Sequence, residues 1–229
     1  IIGLRIKPLP VRGMGSSPFR EILKRGVFPP QGHFLDLGCG QGSLFALLLA
    51  ARQLFEQGQW PADWAPAPRP LSLRGIELMQ SDVKRATQAF DPGHPLVRIE
   101  QGDMTQVDFG QPDVITILDA LHYLGYAQQA RVLKRIRTAL PAGGVFLTRI
   151  GDASAGLPFR FSNWVDHVVT YARGHRMPRL YCRSLAEWRC LLTELGFEVE
   201  CNSMSKGMPF ANVMLVCRVP GKPVTAPPQ

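Results

Sequence analysis

A short run of glycines preceded by a single acid is the first feature of this sequence that could bind a ligand. Gly38, Gly40 and Gly42 stand in the stretch FLDLGCGQGS, and Asp36 comes two residues before the first of them. A glycine turn between a strand and a helix commonly holds phosphate, because backbone N–H groups at the helix start attract anions. A carboxylate would repel phosphate but would bind an ammonium group through charge-assisted hydrogen bonds. The ligand expected beside Asp36 is therefore cationic at that end.

S-adenosylmethionine has the charges that this arrangement favours, since it carries an α-ammonium and a sulfonium and lacks phosphate. Gly38 and Gly40 would let the backbone approach its amino-acid part closely, because no Cβ intervenes. Ser43 also stands where the dinucleotide fingerprint G-x-G-x-x-G has its third glycine. The sequence thus predicts S-adenosylmethionine as the cofactor.

Three further acids follow predicted strands. Glu77 ends the second strand in GIEL, where an acid can accept from both ribose hydroxyls. Asp103 follows the third strand in QGDM and could accept from the adenine amino group, although an aspartate also suits a plain turn there. Asp119 ends the fourth strand in ILDALHYL. Open α/β sheets bind ligands at the carboxyl ends of their strands, which is where all these acids are expected.

Hydrophobic runs that alternate with helical patterns indicate a parallel sheet flanked by helices. The predicted strands are 33–37, 71–76, 96–100, 113–118 and 145–150, followed by an antiparallel hairpin of 197–203 and 210–218. The predicted helices are 43–56, about 80–90, 127–140 and 184–195. The sequence therefore predicts an α/β fold whose parallel sheet ends in an antiparallel hairpin.

The organisation along the chain is that of one domain, residues 1–220, with a flexible tail at 221–229. Residues 1–30 are expected to form an N-terminal cap. The segment 57–70 holds four prolines and is predicted to be a surface insertion without regular structure. Residues 151–183, rich in Arg, His and aromatic side chains, are expected to form a substrate lid.

Composition and charge limit the kinds of molecule that the protein is expected to bind and the compartment in which it is expected to lie. The chain has 229 residues and a net charge of +8, which favours nucleic acid, an anionic membrane surface or an acidic partner, or is simply a solvated basic surface. The longest apolar run is 44–51, far too short to span a membrane. Five cysteines without a C-x-x-C pair argue against a disulfide framework or zinc site, and no metal is expected. We expect a cytoplasmic protein.

Taken together, these motifs resemble the class I, Rossmann-like, S-adenosylmethionine-dependent methyltransferases. LDLGCGQG resembles the first motif of that family, and GIEL, EQGDM, DALHYL and LPAGG follow in the family's order. The resemblance covers about residues 30–218. It implies a seven-stranded sheet, parallel with a C-terminal antiparallel hairpin, and helices on both faces.

The resemblance also implies roles for matching positions. Those expected to contact the methionine part are Asp36, Gly38, Cys39, Gly40 and Gly42, although Cys39 could merely fill a slot for a small residue. Those expected around the adenosine are Glu77 on the ribose, Leu78 over the adenine, and Asp103 and Met104 flanking the adenine. Asp119 would line the sulfonium end.

Two histidines are candidates for catalysis. Methyl transfer chiefly requires that nucleophile and methyl are held in line, so a base matters only if the acceptor must lose a proton. His122, three residues past Asp119, is placed by its motif to stand near the methyl, and His167 in the expected lid is the second candidate. The alternative for His122 is simple packing at the start of a helix.

The acceptor is less well defined than the cofactor. DALH lacks the prolines of the Asn/Asp-Pro-Pro-Tyr/Phe motif of base methyltransferases, which disfavours nucleic acid. Seven arginines against three acids in 149–190 favour an anionic small molecule or an acceptor on an acidic carrier protein. GLRIKPLPVRG and MSKGMPFANVMLV resemble small bacterial methyltransferases associated with aryl-polyene pigment biosynthesis, which implies an aromatic, phenolic acceptor. An RNA methyltransferase and a non-catalytic S-adenosylmethionine-binding module remain as alternatives.

Overall fold

A seven-stranded sheet forms the centre of the protein. The computed structural model describes residues 18–90, 93–154, 180–203 and 212–221. The strand order is β3-β2-β1-β4-β5-β7-β6. Strands β1 to β5 are mutually parallel, and β7 runs antiparallel to both of its neighbours, β5 and β6. The predicted parallel sheet with a C-terminal antiparallel hairpin is confirmed.

The elements follow the predicted order. The strands are β1 Gln31–Leu37, β2 Arg69–Glu77, β3 Val97–Gln101, β4 Val114–Leu118, β5 Val145–Gly151, β6 Glu198–Ser203 and β7 Asn212–Arg218. The helices are α1 Pro18–Arg25, α2 Ser43–Glu56, α3 Gln80–Ala89, α4 Tyr126–Ala139 and α5 Leu185–Glu194, with a 3₁₀ turn at Leu121–Tyr123. Helix α1 lies in the segment 1–30 predicted as an N-terminal cap, of which residues 1–17 lie outside the described residues.

The central strands are apolar on both faces because helices cover both. On β1, Phe34 belongs to the core beneath α1 and α2, whereas Leu35 and Leu37 belong to the core beneath α4 and α5. Trp188 of α5 is fully buried in the second of these cores. Strand alternation thus divides the apolar residues between two helical layers, and the predicted helices on both faces are confirmed.

The proline-rich insertion departs from its prediction in part. Residues 57–68 contain turns and bends but no helix or strand, as predicted. Yet Trp64 is only 8% exposed and Ala67 only 2%, and both belong to the core beneath α1 and α2. The Trp64 ring meets Trp60 edge-on at 5.2 Å, and the Trp60 Nε1 donates to the carbonyl of Ala65 at 2.8 Å. The insertion is therefore partly core, because its tryptophans cover the edge of the apolar layer.

Several predicted segments lie largely outside the residues that the structure describes. Most of the expected lid, at 155–179, the tip of the hairpin and most of the expected tail lie outside the described residues. No helix within the described ranges combines the length and apolar composition that crossing a membrane would require.

Burial of Trp64 leads to a stability prediction. Trp64→Ala should lower the free energy of unfolding by about 3 kcal/mol, because a buried tryptophan is replaced by a cavity. Gln59→Ala in the same insertion is the control, since Gln59 is exposed. Denaturant unfolding of both variants measures the difference. Equal stability of the two variants would show that the insertion does not contribute to the core.

Candidate functional site

The glycine turn connects β1 to α2 through left-handed backbone. Gly38, Gly40 and Gly42 have φ angles of 77°, 53° and 79°, which residues with a Cβ rarely adopt. A Cβ at Gly38 would lie 2.9 Å from the Cβ of Ala120, whereas a Cβ at Gly40 would have no atom within 4 Å. The turn is therefore packed against the segment after β4 at Gly38 and open at Gly40, where a ligand could approach the backbone.

Glu77 ends β2 and reaches across to this turn. Its Oε2 accepts from the backbone N–H of Gly40 at 2.9 Å, and its Oε1 accepts from that of Met79 at 2.9 Å. The turn is also joined to β2 by the backbone, since Gly38 and Cys39 both donate to the carbonyl of Ile76. Glu77 thus lies beside the glycine turn, and each of its oxygens retains a lone pair for a further donor.

Asp36 lies within β1 and is only 3% exposed. Its partner in the register of the adjacent strand β4 is Thr116, whose hydroxyl donates to Asp36 Oδ1 at 2.6 Å. Burial raises the pKa of Asp36 from 3.8 to about 7, the Thr116 hydrogen bond lowers it, and the nearby charge of Glu77 raises it. A buried, partly protonated acid at this place would gain most from a cationic neighbour.

The side chain of Cys39 turns away from the open side of the loop. A Cβ at Gly75 in β2 would lie 2.7 Å from Cys39 Sγ, so the thiol fills the space above that glycine. Burial raises the pKa of the Cys39 thiol, with further contributions from the charges of Asp36 and Glu77. The thiol therefore packs against β2, which fits the slot for a small residue that the sequence analysis left open.

The residues expected around the adenine lie beyond the ends of β2 and β3. Leu78 is 62% exposed, which is unusual for a leucine and leaves its side chain available to cover a flat ligand. Asp103 Oδ1 accepts from the backbone N–H of Thr105 at 2.8 Å, the turn-forming bond named above as the alternative role. The Met104 methyl would lie 3.5 Å from a Cβ at Gly38. Met104 is thus adjacent to the glycine turn, while Asp103 already caps a turn.

Asp119 stands directly after β4 with φ 57°, the one left-handed non-glycine residue in the described ranges. Its Oδ1 accepts from Nε of Arg149 at 2.7 Å, and its Oδ2 forms an ion pair with Arg149 Nη2. Arg149 lies in β5 opposite Leu118. The pair therefore closes the carboxyl ends of β4 and β5, next to Ala120 and the glycine turn.

Of the two candidate catalytic histidines, His122 lies within the described residues and His167 does not. His122 is partly buried in the 3₁₀ turn, its ring is 4.3 Å from that of Tyr123, and its carbonyl accepts from the N–H of Tyr181 at 2.8 Å. His122 therefore lies in the same segment as Asp119, and the segment returning from the expected lid reaches its backbone. His167 lies outside the described residues.

Gln129 of α4 is a polar residue that the sequence analysis did not identify. It has no exposed surface, and its Nε2 donates to the carbonyls of Leu121, Leu124 and Tyr181 at 2.8–3.1 Å. Its Oε1 accepts from Arg183 Nε at 2.9 Å. Gln129 thus joins the segment after β4 to the segment 180–183. The sequence could have indicated this burial, because Gln129 lies on the same face of α4 as the apolar residues Leu133 and Ile136.

Aromatic contacts extend this connection. The guanidinium of Arg183 lies 4.5 Å from the centre of the Tyr126 ring, and the Tyr126 hydroxyl donates to the carbonyl of Cys182 at 3.1 Å. Tyr126 also meets Tyr181 edge-on at 5.4 Å. The return from the expected lid is therefore fixed to the start of α4 by side chains on both segments.

A surface groove of about 940 Å³ lies elsewhere. Its lining includes Arg131 and Lys134 of α4, Asp113 just before β4, and Pro141 just before β5. Because it opens at the amino ends of these strands, it is at the opposite edge of the sheet from the glycine turn. It is therefore not part of the candidate site.

The structure brings most of the predicted residues to one edge of the sheet. Asp36, Glu77 and Asp119 lie at or near the carboxyl ends of three adjacent strands, with the glycine turn between them. No group of three or more His, Cys, Asp or Glu side chains in the described part of the chain is arranged to hold a metal ion. The site therefore consists of carboxylates, open backbone and a few apolar side chains.

The Gln129 contacts predict a change that local measurements can detect. Gln129→Ala should cost about 2–3 kcal/mol of stability, because several buried carbonyls lose their donor. Hydrogen exchange at the Tyr181 amide should accelerate by more than the loss of global stability explains. Its acceptor is the His122 carbonyl, and the segment of His122 would no longer be held by Gln129. Lys134→Ala, exposed on the same helix, is the control. Unchanged local exchange in Gln129→Ala would contradict this role.

The strands that carry this site match a known domain family. Residues 35–146, from β1 to β5, match the family described as "Methyltransferase domain". A curated relative, the carboxy-S-adenosyl-L-methionine synthase of Chromohalobacter salexigens, is 29% identical over 117 residues. That match spans 50% of this chain and 38% of the relative, so the chain corresponds to well under half of that protein.

Solved structures share the whole architecture. One chain of a complex that contains the Haloferax volcanii methyltransferase activator Trm112 superposes with a TM-score of 0.63 and 16% identity, covering 92% of this chain and 93% of that one. The magnesium protoporphyrin IX methyltransferase of Synechocystis, solved with S-adenosylhomocysteine, gives a TM-score of 0.57 at 16% identity, covering 82% and 75%. At these identities the likeness concerns the fold. Residues 35–146, just under half of the chain, therefore match a methyltransferase domain, and the chain shares the fold of these solved structures.

Proposed function

We propose that this protein transfers a methyl group from S-adenosylmethionine to an anionic small molecule or to an acceptor carried on an acidic protein. The observation that carries the proposal is the crowding of buried and partly buried carboxylates around a glycine turn that is open at Gly40. Such a site disfavours phosphate and favours a ligand with positive charge.

The residues present fit the cofactor of the family. Gly38 and Gly40 supply backbone for the amino-acid part, and Asp36 supplies a carboxylate for its ammonium group. Glu77 has lone pairs left for ribose hydroxyls, and Leu78 exposes an apolar surface for the adenine. Asp103, which already caps a turn, is the least suited of the predicted ligands.

The cofactor, held by Asp36, Glu77 and the glycine turn, would supply an electrophilic methyl carbon with a neutral thioether as its leaving group, so the acceptor must offer a lone pair and give up a proton. The protein holds the acceptor in line and excludes water. His122 lies in the segment that flanks the glycine turn and would accept the proton of a phenol, whose pKa near 10 makes the neutral form a poor nucleophile.

The acceptor class rests on charge and aromatic content. Arg149, Arg183 and Arg189 belong to the described part of the basic segment, and Tyr126 at the start of α4 lies close to Tyr181 in the segment 180–183. An aromatic, phenolic acceptor with a negative group suits these side chains. RNA is the second candidate acceptor, since the net charge of +8 also suits a nucleic acid.

Methyl-labelled S-adenosylmethionine tests the proposal directly. Incubation with cell-extract pools of small molecules, carrier proteins and RNA should place the label on a small or carrier-bound acceptor, identified by mass spectrometry. Label in an RNase-sensitive fraction would favour the second candidate. The absence of cofactor binding by calorimetry would overturn the proposal.

Asp36 predicts a pH dependence of cofactor affinity. Because its folded pKa of about 7 lies above the unfolded value of 3.8, the native state holds the proton more strongly across that interval. Only the ionised form attracts an ammonium group, so affinity should rise about tenfold per pH unit below pH 7 and level off above it. Calorimetry between about pH 5.5 and about pH 7.5 keeps the ligand ammonium protonated.

Two variants separate Asp36 from other titrating groups. Asp36→Asn should bind more weakly and with no pH dependence in this range. Thr116→Val should shift the rise to higher pH, because the Thr116 hydrogen bond lowers the pKa of Asp36. A wild-type affinity that does not change with pH would show that Asp36 stays out of contact with the ligand charge.

His122 can be tested once an acceptor is known. His122→Ala should lower kcat by ~10²-fold while leaving cofactor affinity nearly unchanged. His33→Ala is the matched control, since His33 is exposed near the start of β1. Near-wild-type turnover of His122→Ala would mean that the site acts by positioning alone, and His167→Ala would then test the second candidate.

A further inference from the structure

The ion pair between Asp119 and Arg149 has the form of a carboxylate-binding site with a carboxylate of the protein already in it. Arg149 offers Nε and Nη2 side by side, and each contacts a different oxygen of Asp119. This bidentate geometry is how a guanidinium recognises a planar carboxylate in general. The same side of Arg149 would recognise a carboxylate on a ligand equally well.

Asp119 has a left-handed backbone while it makes this contact. Its φ of 57° belongs to a region that aspartate and asparagine adopt more readily than other residues with a Cβ. The pair is also accessible, because 42% of the Asp119 side chain and 27% of the Arg149 side chain are exposed. Exposure reduces the cost of exchanging one partner for another, because a partly exposed ion pair contributes little net stability.

The position of the pair connects it to the cofactor site. Ala120, the residue after Asp119, packs so closely against Gly38 that a Cβ there would lie 2.9 Å away. The Asp119 segment is thus in direct contact with the glycine turn. The sulfonium of a cofactor bound at that turn would attract the Asp119 carboxylate and repel the Arg149 guanidinium.

We propose that Asp119 exchanges partners during the reaction cycle: the charge of bound S-adenosylmethionine replaces Arg149 beside Asp119, and Arg149 then binds a carboxylate of the methyl acceptor. This inference rests on the proposed function and names its acceptor class, an aromatic or aliphatic carboxylate. Loss of the sulfonium charge after transfer returns Arg149 to Asp119 and weakens the hold on the product.

Two properties follow from this exchange. Carboxylate binding and cofactor binding are coupled, and by linkage each strengthens the other by the same factor. The coupling depends on the charge of the cofactor and not on its adenosine. S-adenosylhomocysteine, which fills the same site without the sulfonium, should therefore leave Arg149 paired with Asp119.

Benzoate is the probe for the test, with benzamide as its neutral counterpart. Titration of benzoate by calorimetry should give at least about fivefold tighter binding to the S-adenosylmethionine complex than to the S-adenosylhomocysteine complex. Sinefungin, which has an ammonium group in place of the methylsulfonium, should act like S-adenosylmethionine. Benzamide should show no such preference, and Arg149→Gln should lose the preference for benzoate. Arg149→Lys, which keeps the charge but not the bidentate fork, should retain only part of it.

Asp119→Asn provides a test without any cofactor. Removing the internal carboxylate should let Arg149 bind benzoate in the ligand-free protein more tightly than the wild type does, and asparagine tolerates the left-handed backbone. Equal benzoate affinity for the wild type and Asp119→Asn, or no effect of benzoate at millimolar concentrations, would overturn the inference. If S-adenosylmethionine does not bind the wild type, the proposed function fails, whereas the Asp119→Asn titration still decides whether Arg149 is a carboxylate site.

Discussion

Removal of the Asp36 carboxylate from water, beside a second acid, is the constraint on which the rest of this site depends. Asp36 is almost fully buried between β1 and β4, and Glu77 is close enough to raise its pKa further. A native state that places like charges together in a medium of low polarity loses stability unless something compensates them. This arrangement of charges favours a positively charged ligand.

Within the protein, each of the three carboxylates contacts a different kind of donor. The Thr116 hydroxyl donates to Asp36, backbone N–H groups donate to Glu77, and the Arg149 guanidinium pairs with Asp119. A cationic ligand competes little with neutral donors, because the carboxylates keep lone pairs beside them. Competition with a guanidinium is different, since a cation that took its place would displace a full charge. In the proposed exchange, the cost of binding is therefore concentrated at Asp119, where ligand binding is coupled to a second event.

The fold could be predicted from the sequence because turn-forming residues clearly mark where its helices and strands begin and end. Helix α2 begins at Ser43 and ends at Glu56 as predicted, since the glycine turn fixes its start and the run of apolar residues fixes its face. The strands agree to within two residues because most of them contain a short apolar run bounded by turn residues. Burial of Trp64 was missed, since a proline-rich composition indicates irregular backbone but does not reveal whether an irregular segment is covered.

The residues that sequence patterns could not place are those whose partners lie far along the chain. Gln129 contacts Tyr181 across 52 positions, and Arg149 contacts Asp119 across 30, so neither contact leaves a local signature. Both contacts converge on the segment after β4. That segment touches the glycine turn on one side and is held by Gln129 on the other. In the proposed function, the cofactor and the acceptor therefore contact one short stretch of backbone, where a change of charge on one ligand would alter the binding of the other.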